Sequence, residues 1–148
     1  MSGGTVVKNP RTNAPLLQPD AVSLAQNAQI GQVLSLLPSA FSIPPGEPIR
    51  EAAMTALFFR GQPMDYQRVY GNDGEINRDY IDFGNFNYGV VAAAAGYTFD
   101  QAILAAGLVN SLGGGDKSGP YFNNPRNLDL IRMGYGAYKA GSIGQLAR

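Results

Sequence analysis

The chain has 148 residues, 45% of them hydrophobic, which is enough for one domain with a real core and excludes wholesale disorder. Eleven basic and eleven acidic side chains cancel, so no overall basic surplus draws the protein to nucleic acid. Cysteine and histidine are both absent, which excludes disulfides, thiolate nucleophiles, cysteine or histidine zinc sites, Ser-His-Asp triads and an imidazole pH switch.

The start, Met1-Ser-Gly-Gly-Thr-Val-Val-Lys8, lacks the charged-then-apolar pattern of a cleavable signal peptide, and no run of about 18 apolar residues follows anywhere. Export, if it occurs, is expected to use a specialised route, and no stable membrane insertion is expected. Seven of the ten prolines fall in the first 48 residues. They mark residues 1–48 as a Pro-rich arm with one helix, and leave 49–148 as the main helical domain. In the arm, Asp20 suits an N-cap, and Ile30, Val33, Leu34 and Leu37 recur at helical spacing until Pro38. Pro48 then suits the first position of a helix that buries Ala52, Ala53, Ala56 and Leu57 and ends at Gly61.

The pattern changes from Asp65 to Phe83. Tyr66, Arg68 and Tyr70 alternate, Gly71-Asn-Asp-Gly74 signals a turn, and Tyr80–Phe83 continues the run, which predicts a short β-hairpin or an irregular excursion. Asn85 or Asn87 then caps a short apolar helix ending at Gly96. Thr98 and Gln101 have capping-box spacing for the next helix, apolar nearly all round and expected to be the central core element. Ser111–Pro120 reads as a loop. Asn124-Pro125 opens a last helix, ending near Gly141, with Leu128, Ile131 and Tyr135 on one side and Asp129 and Arg132 on another. The fold class expected is mostly α with a small β excursion, in a single compact domain.

Charge is uneven along the chain. Residues 61–100 hold two basic and six acidic groups, and residues 101–148 hold five basic and two acidic ones. Such a split is either a dipolar surface or a cleft between an acidic and a basic segment. Gly113–Ser118 has the glycines of a phosphate loop, but Asp116 stands where Gly must precede the lysine, so it reads as a linker. Gly71–Glu75 has hard oxygen donors without calcium-loop spacing, so it reads as a turn; neither a metal nor another cofactor is expected.

Without imidazole or thiol, acid–base work falls to carboxylates, Tyr, Lys or a bound metal. Asp65 follows a Gly/Pro break and lies beside Tyr66 and Arg68, and it competes with a plain surface Asp–Arg pair. Asp82-Phe-Gly-Asn-Phe-Asn-Tyr-Gly89 is the densest polar–aromatic segment, and helix capping with aromatic packing explains it about as well as a site does. Asp129 and Arg132 are spaced to pair on one helix. The catalytic candidates are Asp65, Asp82 and Tyr88; the substrate-binding candidates are Tyr66, Arg68, Asn85, Asn87 and Arg132.

Four blocks suggest a family: Pro63-Met-Asp-Tyr-Gln67, Asp82–Gly89, Leu104-Ala-Ala-Gly107, and Asn124-Pro-Arg through Ile131 to Gly134. In order, they resemble the polymorphic toxin type 44 domain of bacterial secreted toxins and interbacterial effectors. The likeness spans about residues 58–140. Met64 and Gln67 depart from its first block, and Asn124 and Asn127 stand where acids are frequent in its last. The resemblance implies an antibacterial toxin, a cognate immunity protein as partner, and a secretion component bound through the N-terminal arm. With it, the residues suit a hydrolase of a polymeric substrate, peptidoglycan glycan ahead of RNA. Two rivals are a structural scaffold of a secretion or phage-like particle, and a membrane-disrupting toxin built on Val90–Leu112.

Overall fold

The computed structural model describes residues 7–10, 12–19, 21–59, 62–66, 78–112 and 125–142. Five helices follow one another there: α1 (Leu24–Leu34), α2 (Ile49–Phe58), α3 (Arg78–Ala94), α4 (Phe99–Leu112) and α5 (Pro125–Lys139). The fold is helix-dominated, as the composition and periodicity suggest. Extended pairing among the described residues is limited to one isolated antiparallel bridge, Lys8 with Pro15. The expected hairpin turn, the phosphate-loop-like run and the calcium-loop-like run all lie outside the described residues.

Helix α3 is the axis of the molecule, with every residue from Asp82 to Ala95 buried. This corrects two expectations. Tyr80–Phe83 is not a strand but the first turns of α3, and Asn85 and Asn87 lie inside the helix rather than at its cap. Helical periodicity wins because Phe83, Phe86, Val90 and Val91 all gain burial in one continuous helix, which outweighs the modest helix aversion of asparagine. Asn85 even turns its Nδ2 onto the carbonyl of Ile81, four residues back, at 3.0 Å. The more apolar α4 is not the hub, for Leu104 and Asp100 face solvent. Small residues (Gly84, Gly89, Ala92–Ala95) let α3 touch neighbours all round, which a reading by hydropathy alone undervalues.

Two glycines hold α3 against α5. A Cβ on Gly89 would stand 2.1 Å from the Ile131 carbonyl oxygen, and one on Gly134 would stand 1.9 Å from the Phe86 carbonyl oxygen. Backbone therefore meets backbone at this crossing, and no other residue type fits at either position. The same device brings α1 onto α3, where a Cβ on Gly31 would lie 2.7 Å from the Val91 carbonyl oxygen.

Helix α1 is capped by Ser23, whose Oγ accepts from the Gln26 N–H at 3.2 Å; Asp20, the expected cap, lies outside the described residues. Its buried side is Leu24, Asn27, Ala28, Gly31 and Leu34, whereas Ile30 and Val33, expected in the core, are exposed. In α2, Pro48 stands one residue before the helix, Met54 is buried, and Ala52 and Ala56 are exposed. The large side chains take the inner side: Phe58 meets the Tyr88 ring edge-on, centroids 4.9 Å apart. Helix α2 stops at Phe58, short of Gly61. Residues ahead of α1 join the same core, with Val7 and Leu16 packed against it and Asn9 buried.

The end of α3, the start of α4 and the end of α5 fall where the sequence sets them. Gly96 takes a positive φ of 88° after α3 and Gly141 one of 73° after α5. Thr98 and Gln101 form the capping box reciprocally, at 3.0 and 3.1 Å.

These contacts set a paired test in α5. Gly134→Ala is expected to lower unfolding stability by about 3 kcal/mol or more, because a methyl group is forced onto a backbone carbonyl. Gly136, with nothing within 4 Å of its would-be Cβ, lies in the same helix; Gly136→Ala should raise stability by about 0.5–1 kcal/mol. Urea unfolding of the two variants checks both signs.

Candidate functional site

A buried central helix that carries Asp82, Asn85 and Asn87 must find donors and acceptors for them, since an unmatched polar group in the interior costs about 1–3 kcal/mol. The first 48 residues supply two of these partners. Asn9 donates from Nδ2 to Asp82 Oδ2 at 2.7 Å, and both residues are buried. A tight turn presents Asn9: its N–H donates to the Ala14 carbonyl at 2.8 Å, and its carbonyl accepts from the Asn13 N–H at 2.7 Å. Asn27 of α1 donates from Nδ2 both to Tyr66 Oη at 3.0 Å and to Asn87 Oδ1 at 2.9 Å. Asn87 in turn donates to the Met64 sulfur at 3.6 Å.

The structure thus brings Tyr66 and Asn87 together through Asn27, and joins Asp82 to Asn9. Neither Asn9 nor Asn27 is signalled by the sequence, because an asparagine in a turn or on a helix reads as a local backbone partner. Tyr66 also packs its ring against Phe83 at 5.4 Å, and burial raises its pKa while the Asn27 hydrogen bond partly offsets that. Tyr88 is elsewhere engaged: its Oη donates to the Ala102 carbonyl at 2.7 Å, and complete burial pushes its pKa far above the ordinary phenol value.

Asp65 is half-buried at the end of a turn closed by its own N–H on the Gln62 carbonyl at 3.0 Å, next to the anchored Tyr66. Arg132 is exposed, pairs with Asp129 at 3.4 Å as their spacing suggests, and lies over the Phe99 ring at 5.2 Å. Arg68 lies outside the described residues. Among the candidates, Tyr66, Asp82, Asn85, Asn87 and Tyr88 are therefore buried, whereas Asp65 and Arg132 reach solvent.

A second polar cluster, also without a signal in the sequence, ties the Pro-rich break to α2 and to the α3–α4 turn. Glu51 accepts from Ser39 Oγ at 2.6 Å, Tyr97 Oη at 2.6 Å and the Ala40 N–H at 2.9 Å. Arg50 donates to the carbonyls of Ser35 at 2.9 Å and Leu37 at 2.8 Å, and lies over the Tyr97 ring at 5.6 Å. Burial alone would raise the Glu51 pKa, but the hydrogen bonds from Ser39, Tyr97 and Ala40 outweigh it and hold the carboxyl below its ordinary 4.5. Tyr97 moves the opposite way, raised by burial and by the hydrogen bond and negative charge of Glu51.

No helix among the described residues is long and apolar enough to cross a membrane, and no three acidic residues gather there around a metal-sized space. No family model matches the chain, and no curated protein and no solved structure matches it.

Two measurements probe these networks. Asn27→Ala leaves Tyr66 Oη and Asn87 Oδ1 without their shared donor, and is expected to lower unfolding stability by about 2 kcal/mol in urea titration. The folded pKa of Glu51 lies below the unfolded 4.5, so its contribution is whole above that pH and is lost as pH falls through the folded value. Stability measured from about pH 5 down to about pH 3 should therefore fall less steeply in Glu51→Gln than in the wild type.

Proposed function

We propose that this chain is an antibacterial toxin domain that hydrolyses a polymer of a competing cell, with peptidoglycan glycan favoured over RNA. The observation that carries the reading is how the blocks of the resemblance pack. Met64 and Tyr66 of the first block touch Asn87 and Phe83 of the second, and Phe86 and Gly89 of the second interlock with Gly134 and Ile131 of the last. Segments separated by tens of residues thus form one packed unit, which is what a domain defined by those blocks requires.

Within this reading Asp65 is the proton-transfer group, because Asp82 and Tyr88 are spent on the core. A half-buried carboxylate beside a rigidly held tyrosine suits one of the two acid–base roles that cleavage of a glycosidic bond requires. A formal net charge of zero gives no general attraction to polyanionic RNA. The cognate immunity protein, delivery through a secretion component bound at the N-terminal segment, and action in a target bacterium all belong to the same proposal. The scaffold reading has one observation in its favour: Ile30, Val33, Leu36 and Ile43 are exposed near the N-terminus, as in a protein built to assemble.

Induction in a test bacterium, once in the cytoplasm and once behind a periplasmic export signal, separates these readings. Growth arrest confined to the periplasmic form, with lysis not preceded by dye entry, is the expected result. Arrest by the cytoplasmic form would move the substrate to RNA. Soluble protein without arrest in either compartment would favour the scaffold.

A further inference from the structure

We infer, on the glycan-hydrolase reading above, that Asp82 is the second carboxylate of the site and that the turn carrying Asn9 is an autoinhibitory plug seated on it. Cleavage of a glycosidic bond takes two carboxyl groups, and Asp65 is one. Asp82 adjoins the same ring pair as Asp65 does. Asp65 directly precedes Tyr66, Asp82 directly precedes Phe83, and those two rings pack 5.4 Å apart. Tyr80 and Ile81 are half-buried, and unbroken burial of α3 begins at Asp82. The carboxylate therefore sits where the helix enters the core, and Asn9, which bonds it at 2.7 Å, comes from outside the helices. Asp82 is spent on the core only while that turn is seated.

The two asparagine partners of α3 are held differently. Asn27 lies on α1, which its buried Leu24, Ala28, Gly31 and Leu34 fix to the core. The Asn9 turn is closed on itself, with Lys8 bridged to Pro15 and the Leu16 N–H donating to the Val7 carbonyl at 2.8 Å. Among the described residues, every backbone-to-backbone hydrogen bond of this segment runs within it. Lys8, Pro10 and residues 12–15 are exposed, so Asn9 is inserted from a surface turn, with Val7 and Leu16 partly buried beside it. Such a turn can lift as a unit without breaking a helix. Its amide is a neutral donor, which water replaces with little net loss. Leu17, directly after the turn, is 46% exposed, so a partner or a protease reaches the chain there ahead of α1. With the turn lifted, Asp65 gives its proton to the leaving glycosidic oxygen as the C–O bond breaks. Asp82 takes a proton from the water whose oxygen bonds to the anomeric carbon, and solvent returns that proton to Asp65. The turn also opens transiently on its own, so the plug slows the wild type rather than silencing it.

Asn9→Asp in the full chain tests this at about pH 8, where a second carboxylate against Asp82 expels the turn by like-charge repulsion. Carbodiimide-driven amine coupling to Asp82, located by mass spectrometry, reads its exposure without reference to activity. Coupling should run about tenfold or more faster than in the wild type. Release of soluble fragments from purified peptidoglycan sacculi should rise with it, and adding Asp82→Asn to Asn9→Asp should abolish that release. A folded Asn9→Asp with unchanged coupling overturns the inference. So does a wild type that cleaves sacculi as fast as Asn9→Asp, which leaves the hydrolase reading standing. Sacculi left intact by an Asn9→Asp protein whose Asp82 couples readily overturn the hydrolase reading, and the inference with it. Amide exchange of the wild type decides the matter if Asn9→Asp loses its helical circular dichroism. The amides of Asn9, Asn13 and Leu16 should then exchange about a hundredfold or more faster than those of α3, and one common rate for turn and helix overturns the plug.

Discussion

The contact on which the rest of this structure depends is the crossing of α3 and α5, where Gly89 and Gly134 remove the two side chains that would hold the backbones apart. Once the carbonyl oxygens of Phe86 and Ile131 occupy those gaps, α3 is enclosed from Asp82 to its C-terminal end. Enclosure has a chemical consequence. The polar side chains that α3 carries lose water and must be matched from elsewhere. Asn9 and Asn27, both from the first 48 residues, provide that match for Asp82 and Asn87. The N-terminal segment is thereby joined to the helices by polar bonds as well as by the packing of Leu24, Ala28 and Leu34.

Much of the fold was legible in the residues that end helices. Gly96, Gly141, Pro125 and the Thr98–Gln101 box each have a local, mechanical reason to be where they are, and each marks a boundary in the structure. The start of α3 was not legible, because Asn85 and Asn87 look like caps and Tyr80–Phe83 looks like a strand when taken alone. Their roles depend on α5 and α1, which lie far away in sequence. The inner face of α1 was misjudged for a related reason. Periodicity assigns Ile30 and Val33 to the core together with Leu34, but with Gly31 held close to α3 only Leu34 of the three is buried.

The candidate site was legible only in part, and the reason bears on function. A dense polar–aromatic block such as Asp82–Gly89 resembles an active site, yet a buried helix that must pack tightly and satisfy its own polar groups has the same composition. Asp82, Asn87 and Tyr88 answer to the second description, each hydrogen-bonded inside the core. Asp65 does not. It is half-buried, follows a turn and adjoins a tyrosine anchored by Asn27. A rigid neighbour beside a solvent-reachable carboxylate is the arrangement that acid–base chemistry needs.

The role of Asp65 is the claim on which the functional account turns, and one variant measures it most directly. Asp65→Ala is produced in the compartment where the wild type arrests growth, and its thermal unfolding is recorded beside the growth curve. The account predicts a variant that unfolds with the wild type's midpoint and no longer arrests growth. A folded Asp65→Ala that arrests growth as well as the wild type would contradict it.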